Sequence, residues 1–143
     1  MMEYFSIQEL DLPADIWNPF AQHYAAAHYD PNQMIYFQES QADCFYYLKK
    51  GRVKTFISSE DGTEKALTVY REGNLFGEAA FFDGMPRVSS AVAITACDIV
   101  RIDRQRATQE IVQNPELALA LMKYLARTVR LLSEHIDNMA FLQ

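Results

Sequence analysis

The sequence predicts a mainly β domain, an all-β sandwich or barrel of short antiparallel strands accompanied by helices. Three observations predict this fold class. Short segments rich in β-branched and aromatic residues recur between turn signals, as is typical of such folds. Asp61-Gly62 separates two of these segments, and because glycine accepts a positive φ, the pair predicts a hairpin tip. From Arg104 onward, the apolar residues change from a period of two to a helical period of about 3.6.

The first predicted element is a helix. Apolar residues between Ile16 and Ala27 follow a three-and-four spacing, which predicts a short amphipathic helix over residues 14–27. The predicted strands cover residues 34–37, 44–48, 53–57, 66–70, 90–95 and 98–103. Because the Asp61-Gly62 turn joins the third and fourth of these strands, we expect them to be antiparallel neighbours.

Two helices are predicted after the strands. Residues 104–113 can form a short helix, and Asn114-Pro115-Glu116 then supplies an N-cap, a proline at the first helical position and an early acid. A long helix is therefore predicted to run from there to about Asn138.

The long helix carries two apolar stripes, so that one can cover the barrel and the other can meet a partner helix. The first stripe has heptad spacing and consists of Ala118, Leu121, Leu125, Thr128, Leu132, His135, Met139 and Leu142. The second stripe consists of Leu117, Tyr124 and Leu131. We expect a homodimer through residues 114–142, with a seam formed by Leu121, Leu125, Leu132, Met139 and Leu142.

Composition argues against several classes of protein. The 143 residues carry a formal net charge of −6, which disfavours binding to nucleic acid or to an acidic membrane. No apolar stretch approaches the roughly 18 residues of a membrane span, and the first residues lack the features of a signal peptide. We therefore expect a cytoplasmic protein with no membrane partner. Cys44 and Cys97 lie far apart in apolar surroundings, which predicts reduced core thiols.

The segment from Gly73 to Ser90 interrupts the strands and carries the candidate chemistry. A short helix that opens at Gly77 would leave its first N–H groups free for an anion. Arg87, placed between Pro86 and a strand, can offer a planar fork of donors to a phosphate. Glu78 would repel a phosphate but can accept a hydrogen bond from a sugar hydroxyl. Together these residues predict a ligand with both groups.

These residues resemble a known family. Phe76-Gly77-Glu78-Ala79-Ala80, followed by Gly84-Met85-Pro86-Arg87-Val88-Ser89-Ser90-Ala91-Val92, is similar to the phosphate-binding cassette of cyclic-nucleotide-binding domains. The segments 114–117 and 133–142 resemble the long dimer helix of bacterial cAMP receptor proteins and the wider Crp/Fnr family of transcription regulators. The resemblance implies an antiparallel jelly-roll barrel, a double-stranded β-helix, with an N-terminal helix and a long C-terminal dimerisation helix.

The resemblance also implies roles for individual residues. Gly77 and Ala79 would offer backbone contacts, Glu78 would meet the ribose 2′-hydroxyl, and Arg87 would pair with the cyclic phosphate. The remaining implied ligand contacts are Val88, Ser89 and Ser133. The bacterial receptors have a hydroxyl residue where this chain has Val88, and a second hydroxyl residue on the long helix where it has Leu132.

The implied function is that of a small-molecule sensor that binds a cyclic nucleotide and relays binding through the dimer helix. cAMP is favoured over cGMP, because cGMP-binding relatives hold guanine with a hydroxyl at the position of Val88. Residues 1–113 would form the effector barrel, and residues 114–143 would form the helix that ends at the hinge to a DNA-binding domain. That domain is expected to be absent here, so this chain alone should not bind DNA.

Catalysis is not predicted. A cupin-type enzyme needs clustered histidines on barrel strands, whereas His23, His28 and His135 lie in none of the predicted strands. The sequence also lacks a nucleophile motif, a zincin-like helix pair and a Walker-type loop. We expect no metal and no cofactor besides the nucleotide ligand. Two alternatives remain open at this stage: the same fold could sense a haem-borne gas or an organic acid, or it could be a ligand-free dimerisation scaffold.

Overall fold

Two β-sheets form the body of the protein in the computed structural model, which describes residues 5–6, 12–13 and 15–141. The strands are β1 (Phe5–Ser6), β2 (Ala27–Tyr29), β3 (Met34–Tyr36), β4 (Cys44–Lys50), β5 (Val53–Ser58), β6 (Glu64–Tyr70), β7 (Leu75–Phe76), β8 (Ser90–Ala93) and β9 (Cys97–Asp103). One sheet has the order β1-β6-β5-β8-β3 and the other has the order β2-β9-β4-β7. The described pairings are antiparallel apart from that of β1 with β6.

The helices lie at both ends of the chain and in the interruption between the strands. They are α1 (Asn18–His23), α2 (Glu78–Asp83), α3 (Arg104–Gln113) and α4 (Glu116–Phe141). The predicted fold class, a mainly β structure with an N-terminal helix and a long C-terminal helix, is confirmed.

The hairpin predicted at Asp61-Gly62 is also confirmed. Strands β5 and β6 pair antiparallel, with Val53 opposite Tyr70 and Ser58 opposite Glu64. Gly62 has a φ of +87°, which is the conformation that the turn requires and that glycine adopts without strain.

The N-terminal helix is shorter than the predicted 14–27. The chain leaves the helical conformation at Tyr24, which is extended, and by Ala27 it has entered β2. Strand β2 was not predicted, and neither was β7 at Leu75–Phe76. Both are very short, and each is stabilised by pairing with a strand that is distant in sequence, which a local pattern does not reveal.

Alternation along β4 divides the core into two clusters. Phe45 belongs to a cluster between the four-stranded sheet and the helices, together with Phe20 and Leu121. Tyr46 and Leu48 belong to a second cluster, which lies between the two sheets. Because successive side chains of a strand point to opposite faces, one strand contributes to both clusters. The four-stranded sheet is thus covered on both faces.

The long helix turns a different face to the barrel from the one expected. Leu121 is 4% exposed and belongs to the core, and Leu125 packs against the same core. Both residues had been expected in the dimer seam, and Leu142 of that seam lies outside the described residues. Leu117 and Tyr124, from the other predicted stripe, are buried beside Leu121. The barrel therefore takes side chains from both predicted stripes.

The most exposed apolar side chains of α4 form a separate row. They are Leu119, Met122, Val129 and Ile136, each more than 60% exposed. Ala126 and Ser133 are exposed between these residues, and Ala140 is exposed after them. The row from Leu119 to Ala140 therefore advances alternately by three and four residues. We call these seven residues the outer row.

Cys44 and Cys97 are both buried and free, as predicted for core thiols. Within the part of the chain that the structure describes, no helix has the length and apolar character needed to cross a membrane.

Candidate functional site

A cavity of about 580 Å³ lies between the five-stranded sheet, α2 and α4. This volume is in the range of small-molecule sites, which are commonly about 300–1,000 Å³. It is lined by Tyr36, Thr55, Lys65, Ala66, Leu67, Thr68, Tyr70, Gly77, Glu78, Ala79, Ala80, Arg87, Val88, Ser89, Thr128, Leu132, His135 and Met139. The cavity walls are thus mainly apolar and aromatic, with Glu78 and Arg87 as charged residues buried in the lining.

Gly77 begins the wall that α2 contributes. Its φ is +74°, and a Cβ atom placed on it would lie 2.9 Å from Nη1 of Arg87 and 3.1 Å from the ring of Tyr36. A larger residue would therefore be strained in its backbone and would collide with two side chains of the site. The glycine allows the arginine and the tyrosine to approach the start of α2.

Arg87 is 4% exposed and is held by main-chain carbonyl groups. Its Nη1 donates to the oxygen of Gly77 at 2.8 Å, and its Nη2 donates to the oxygen of Cys44 at 2.7 Å. The guanidinium carbon also lies 4.0 Å from the centroid of the Tyr36 ring. These contacts hold a cation at the cavity wall.

Glu78, the first residue of α2, is 6% exposed and supplies the opposite charge. Burial raises the pKa of its carboxyl to about 7, although the nearby Arg87 charge and the Tyr124 hydroxyl both act to lower it. The Tyr124 hydroxyl donates its proton to the oxygen of Leu75 at 2.7 Å. Tyr124 belongs to α4, so this bond ties the long helix to β7, close to the start of α2.

The structure brings together all but one of the predicted site residues. Those that line the cavity are Gly77, Glu78, Ala79, Arg87, Val88 and Ser89. Ser133 does not line it. This serine is exposed in the outer row of α4, because the helix turns the face that contains Leu132 and His135 toward the cavity.

Sequence reasoning missed the residues that reach the cavity from other strands. Tyr36 of β3, Thr55 of β5 and Tyr70 of β6 line the site, yet no local motif surrounds them. The available signal was the alternation of side chains along β5 and β6, since every second side chain of a barrel strand points to the interior. Their meeting point with α2 depends on sheet pairing, which the sequence did not specify.

No group of histidine, cysteine and acidic side chains with the geometry of a metal site occurs among the described residues. His135 lies at the cavity wall, while Nδ1 of His23, which does not line the cavity, lies 2.7 Å from a carboxylate oxygen of Glu110. The polar groups that converge on the cavity can bind an anion and accept a hydrogen bond. The fold and this cavity define a β-barrel with a pocket of small-molecule size.

Comparison with known proteins places the chain in a family. Residues 26–114 match the cyclic nucleotide-binding domain family, and the chain belongs to that family. The match covers the whole segment from Gly77 to Ser89. The sequence resemblance to a cyclic-nucleotide-binding domain of a Crp-like regulator is confirmed.

Individual relatives show the same likeness. The cAMP-activated global transcriptional regulator CRP of Salmonella typhimurium is 32% identical over 124 residues, covering 86% of this chain and 59% of the relative. Among solved structures, the sensor domain of the transcriptional regulator DNR from Pseudomonas aeruginosa is 30% identical with a TM-score of 0.64, covering 92% of this chain and 85% of that one.

The Thermus thermophilus catabolite activator protein has the same fold. Its TM-score is 0.77 at 24% identity, covering 94% of this chain and 63% of that one. The chain thus spans about three-fifths of the length of the curated regulator that it matches.

Proposed function

We propose that this chain is the effector-sensing module of a CRP-like transcription regulator and that it binds a cyclic nucleotide, cAMP in preference to cGMP. One observation carries the proposal: Glu78 and Arg87, both buried, line the same cavity of about 580 Å³. A ligand with a phosphate and a neighbouring sugar hydroxyl satisfies both groups. Membership of the cyclic nucleotide-binding domain family and the likeness to a cAMP-activated regulator support the same ligand class.

In this proposal each charged residue binds one part of the ligand. A guanidinium group has five N–H donors, and Arg87 gives two to carbonyl oxygens of the protein. The others are available to the cyclic phosphate. Glu78 accepts a hydrogen bond from the 2′-hydroxyl when its carboxyl is ionised. Gly77 and Ala79 bring the main chain close to the phosphate, and Val88 and Ser89 line the same end of the cavity.

The base would lie against α4. Leu132, His135 and Met139 form that part of the cavity wall. The preference for adenine rests on Val88, which cannot offer guanine the hydroxyl that cGMP-binding relatives place at this position. Ser133 could reach a base only from another copy of the chain, since its own side chain lies in the outer row.

The signal would pass to α4 and then to a partner copy. Tyr124 connects the Glu78 end of the cavity with α4, and the cavity-lining side chains of α4 respond to the base. A ligand shifts an equilibrium only through its different affinities for the two states, and contact with a movable helix supplies such a difference. The outer row of α4 would pair with the same row of a second copy. In the whole regulator, which would act in the cytoplasm, a DNA-binding domain would follow α4.

Calorimetric titration with cAMP and cGMP tests this function. Arg87→Ala should weaken cAMP binding about tenfold to several-hundredfold, because a hydrogen bond to a charged group contributes about 1.5–3 kcal/mol and its loss leaves the phosphate unpaired. Glu78→Gln keeps an acceptor and should cost less. Arg71→Ala, which removes an exposed arginine outside the cavity, is the matched control and should bind as wild type does.

A 2′-deoxy analogue of cAMP separates the two roles. Wild type should bind this analogue less tightly than cAMP, since the analogue lacks the hydroxyl that Glu78 would hold. Glu78→Ala should hardly distinguish the two ligands. Absence of binding heat for both cyclic nucleotides at millimolar concentration, or unchanged affinity in Arg87→Ala, would show that the cavity serves another purpose.

A further inference from the structure

The guanidinium group of Arg87 lies against an aromatic stack. Its central carbon is 4.0 Å from the centroid of the Tyr36 ring and 5.7 Å from that of the Tyr46 ring. The two rings are nearly parallel, with an angle of 16° between their planes, and Phe76 continues the stack behind Tyr46 at 5.1 Å. Tyr36 is therefore the ring in direct contact with the cation, and the others support it.

This contact matters because Arg87 is buried without an ion pair among the described residues. The salt bridges of the described residues involve other side chains, and Glu78 influences Arg87 only through space. A buried cation is stable only when its charge and its N–H groups are satisfied. Two carbonyl oxygens accept hydrogen bonds from N–H groups at the edge of the guanidinium plane. The face of the Tyr36 ring, which carries partial negative charge, attracts the cation.

The sequence leaves room for this arrangement at one specific point. The missing side chain of Gly77 is what lets Nη1 of Arg87 and the ring of Tyr36 meet at the start of α2. Tyr36 reaches this place because β3 pairs with β8, where Tyr36 lies opposite Ala91. Beside that pairing, the N–H of Glu39 donates to the oxygen of Arg87, and the N–H of Arg87 donates to the oxygen of Ser40, each at 2.8 Å. Main-chain hydrogen bonds thus fix the segments that carry Tyr36 and Arg87 next to each other.

We propose that Tyr36 is a positioning residue for the phosphate-binding arginine: its ring sets the plane of the Arg87 guanidinium so that the donors not taken by the protein point to the cavity. The part of this inference that concerns a phosphate rests on the proposed function. The part that concerns the orientation of Arg87 does not depend on any ligand.

Substitutions at Tyr36 test the ligand-dependent part. Tyr36→Leu removes the ring, whereas Tyr36→Phe keeps the ring and removes only the hydroxyl. In calorimetric titrations of the full chain, Tyr36→Leu should bind cAMP about 3- to 30-fold more weakly, as expected for loss of a desolvated cation–π contact. Its affinity for adenosine, which has no phosphate, should change less than about twofold. Tyr36→Phe should restore the ratio of cAMP to adenosine affinity.

Tyr70→Leu is the matched control, because Tyr70 also lines the cavity but has no ring contact with Arg87. It should leave the ratio of cAMP to adenosine affinity unchanged, whatever its effect on each ligand alone. An unchanged ratio in Tyr36→Leu, or an equal fall in Tyr70→Leu, would overturn the positioning role.

Proton and nitrogen NMR of the ligand-free protein tests the orientation itself. In wild type, ring current from Tyr36 should shift the Arg87 side-chain protons upfield, and the held guanidinium should give resolved Nη resonances. Tyr36→Phe should keep both signatures, and Tyr36→Leu should lose them. Unshifted Arg87 protons in wild type would refute the inference even if no variant folded. Normal ring-current shifts together with an absence of cyclic nucleotide binding would instead reject the proposed function alone.

Discussion

Glu78 shows how burial changes the chemistry of a single side chain. Its carboxyl lies inside the protein at the start of α2, and burial raises its pKa from an ordinary value of 4.5 to about 7. The Tyr124 hydroxyl and the Arg87 charge favour the ionised form but do not compensate for the lost water. The residue proposed to accept a hydrogen bond from a sugar therefore changes protonation near neutral pH.

This pKa predicts a pH-dependent stability. Between pH 4.5 and about 7, the folded state binds a proton at Glu78 that the unfolded state has released, so the free energy of unfolding falls as pH rises through this window. The full difference corresponds to about 3 kcal/mol, and it levels off above pH 7. Glutamine does not titrate, so the free energy of unfolding of Glu78→Gln should not fall in this window. Relative to wild type, the variant should become more stable by about 3 kcal/mol as the pH rises from 4.5 to 8.

Urea unfolding at a series of pH values measures this difference. Glu60→Gln, which removes an exposed carboxyl from the hairpin between β5 and β6, controls for the loss of one charge. Suppose that the free energies of unfolding of wild type and Glu78→Gln differ by a constant amount across the whole pH range. This result would contradict the raised pKa of Glu78.

The residues of the candidate site divide into those that the sequence could indicate and those that it could not. Gly77, Glu78 and Arg87 lie in one short segment, and their side-chain chemistry alone suggested an anion and a hydroxyl. Tyr36 lies far upstream in the chain, and it meets Arg87 only because β3 pairs with β8. Strand order is decided by burial over the whole sheet, so no local pattern around Tyr36 revealed its place.

At the scale of elements, α4 shows why helix existence was easier to predict than helix orientation. The Asn114-Pro115-Glu116 start and the apolar periodicity indicated a long helix, and the structure has one over Glu116–Phe141. Apolar residues occupy several faces of this helix, so two heptad frames fit the same sequence. The barrel follows neither frame alone: it buries Leu121 from one stripe with Leu117 and Tyr124 from the other. The buried face depends on the shape of the sheet beneath the helix.

The observed orientation of α4, which exposes the outer row, gives a sharper test of dimerisation. We expect the outer row to form the interface, so Val129→Asp should place a charge in an apolar seam and convert dimers at micromolar concentration to monomers. Val129 is 62% exposed in the single chain, which means that the substitution spares the barrel core. Sedimentation velocity measures the change.

Asn138→Asp is the matched control, since it adds the same charge to an exposed position of α4 away from the outer row. It should remain dimeric. A wild-type chain that sediments as a monomer at all micromolar concentrations, or a Val129→Asp variant that stays dimeric, would contradict an interface at the outer row.

At the scale of the whole molecule, the charge distribution limits the possible partners. The formal net charge is −6, and a polyanion gains affinity mainly when several basic side chains displace its counterions. We expect this chain to show no sequence-specific affinity for a DNA duplex at physiological salt, with or without cAMP. Fluorescence anisotropy of a labelled duplex checks this expectation, and saturable binding that survives an excess of unrelated DNA would contradict it.

The position of α4 also bears on how a ligand would enter and leave the cavity. One wall of the cavity is this helix, through Thr128, Leu132, His135 and Met139, while the other walls belong to α2 and the sheet. Movement of this wall would affect the exchange of a bound ligand with solvent, and motions of packed helices occur in microseconds to milliseconds. Substitutions that loosen α4 from the barrel should therefore shorten the residence time of the ligand even where no contact to the ligand is lost. Under the proposed function, the long helix would thus influence ligand exchange as well as respond to the bound ligand.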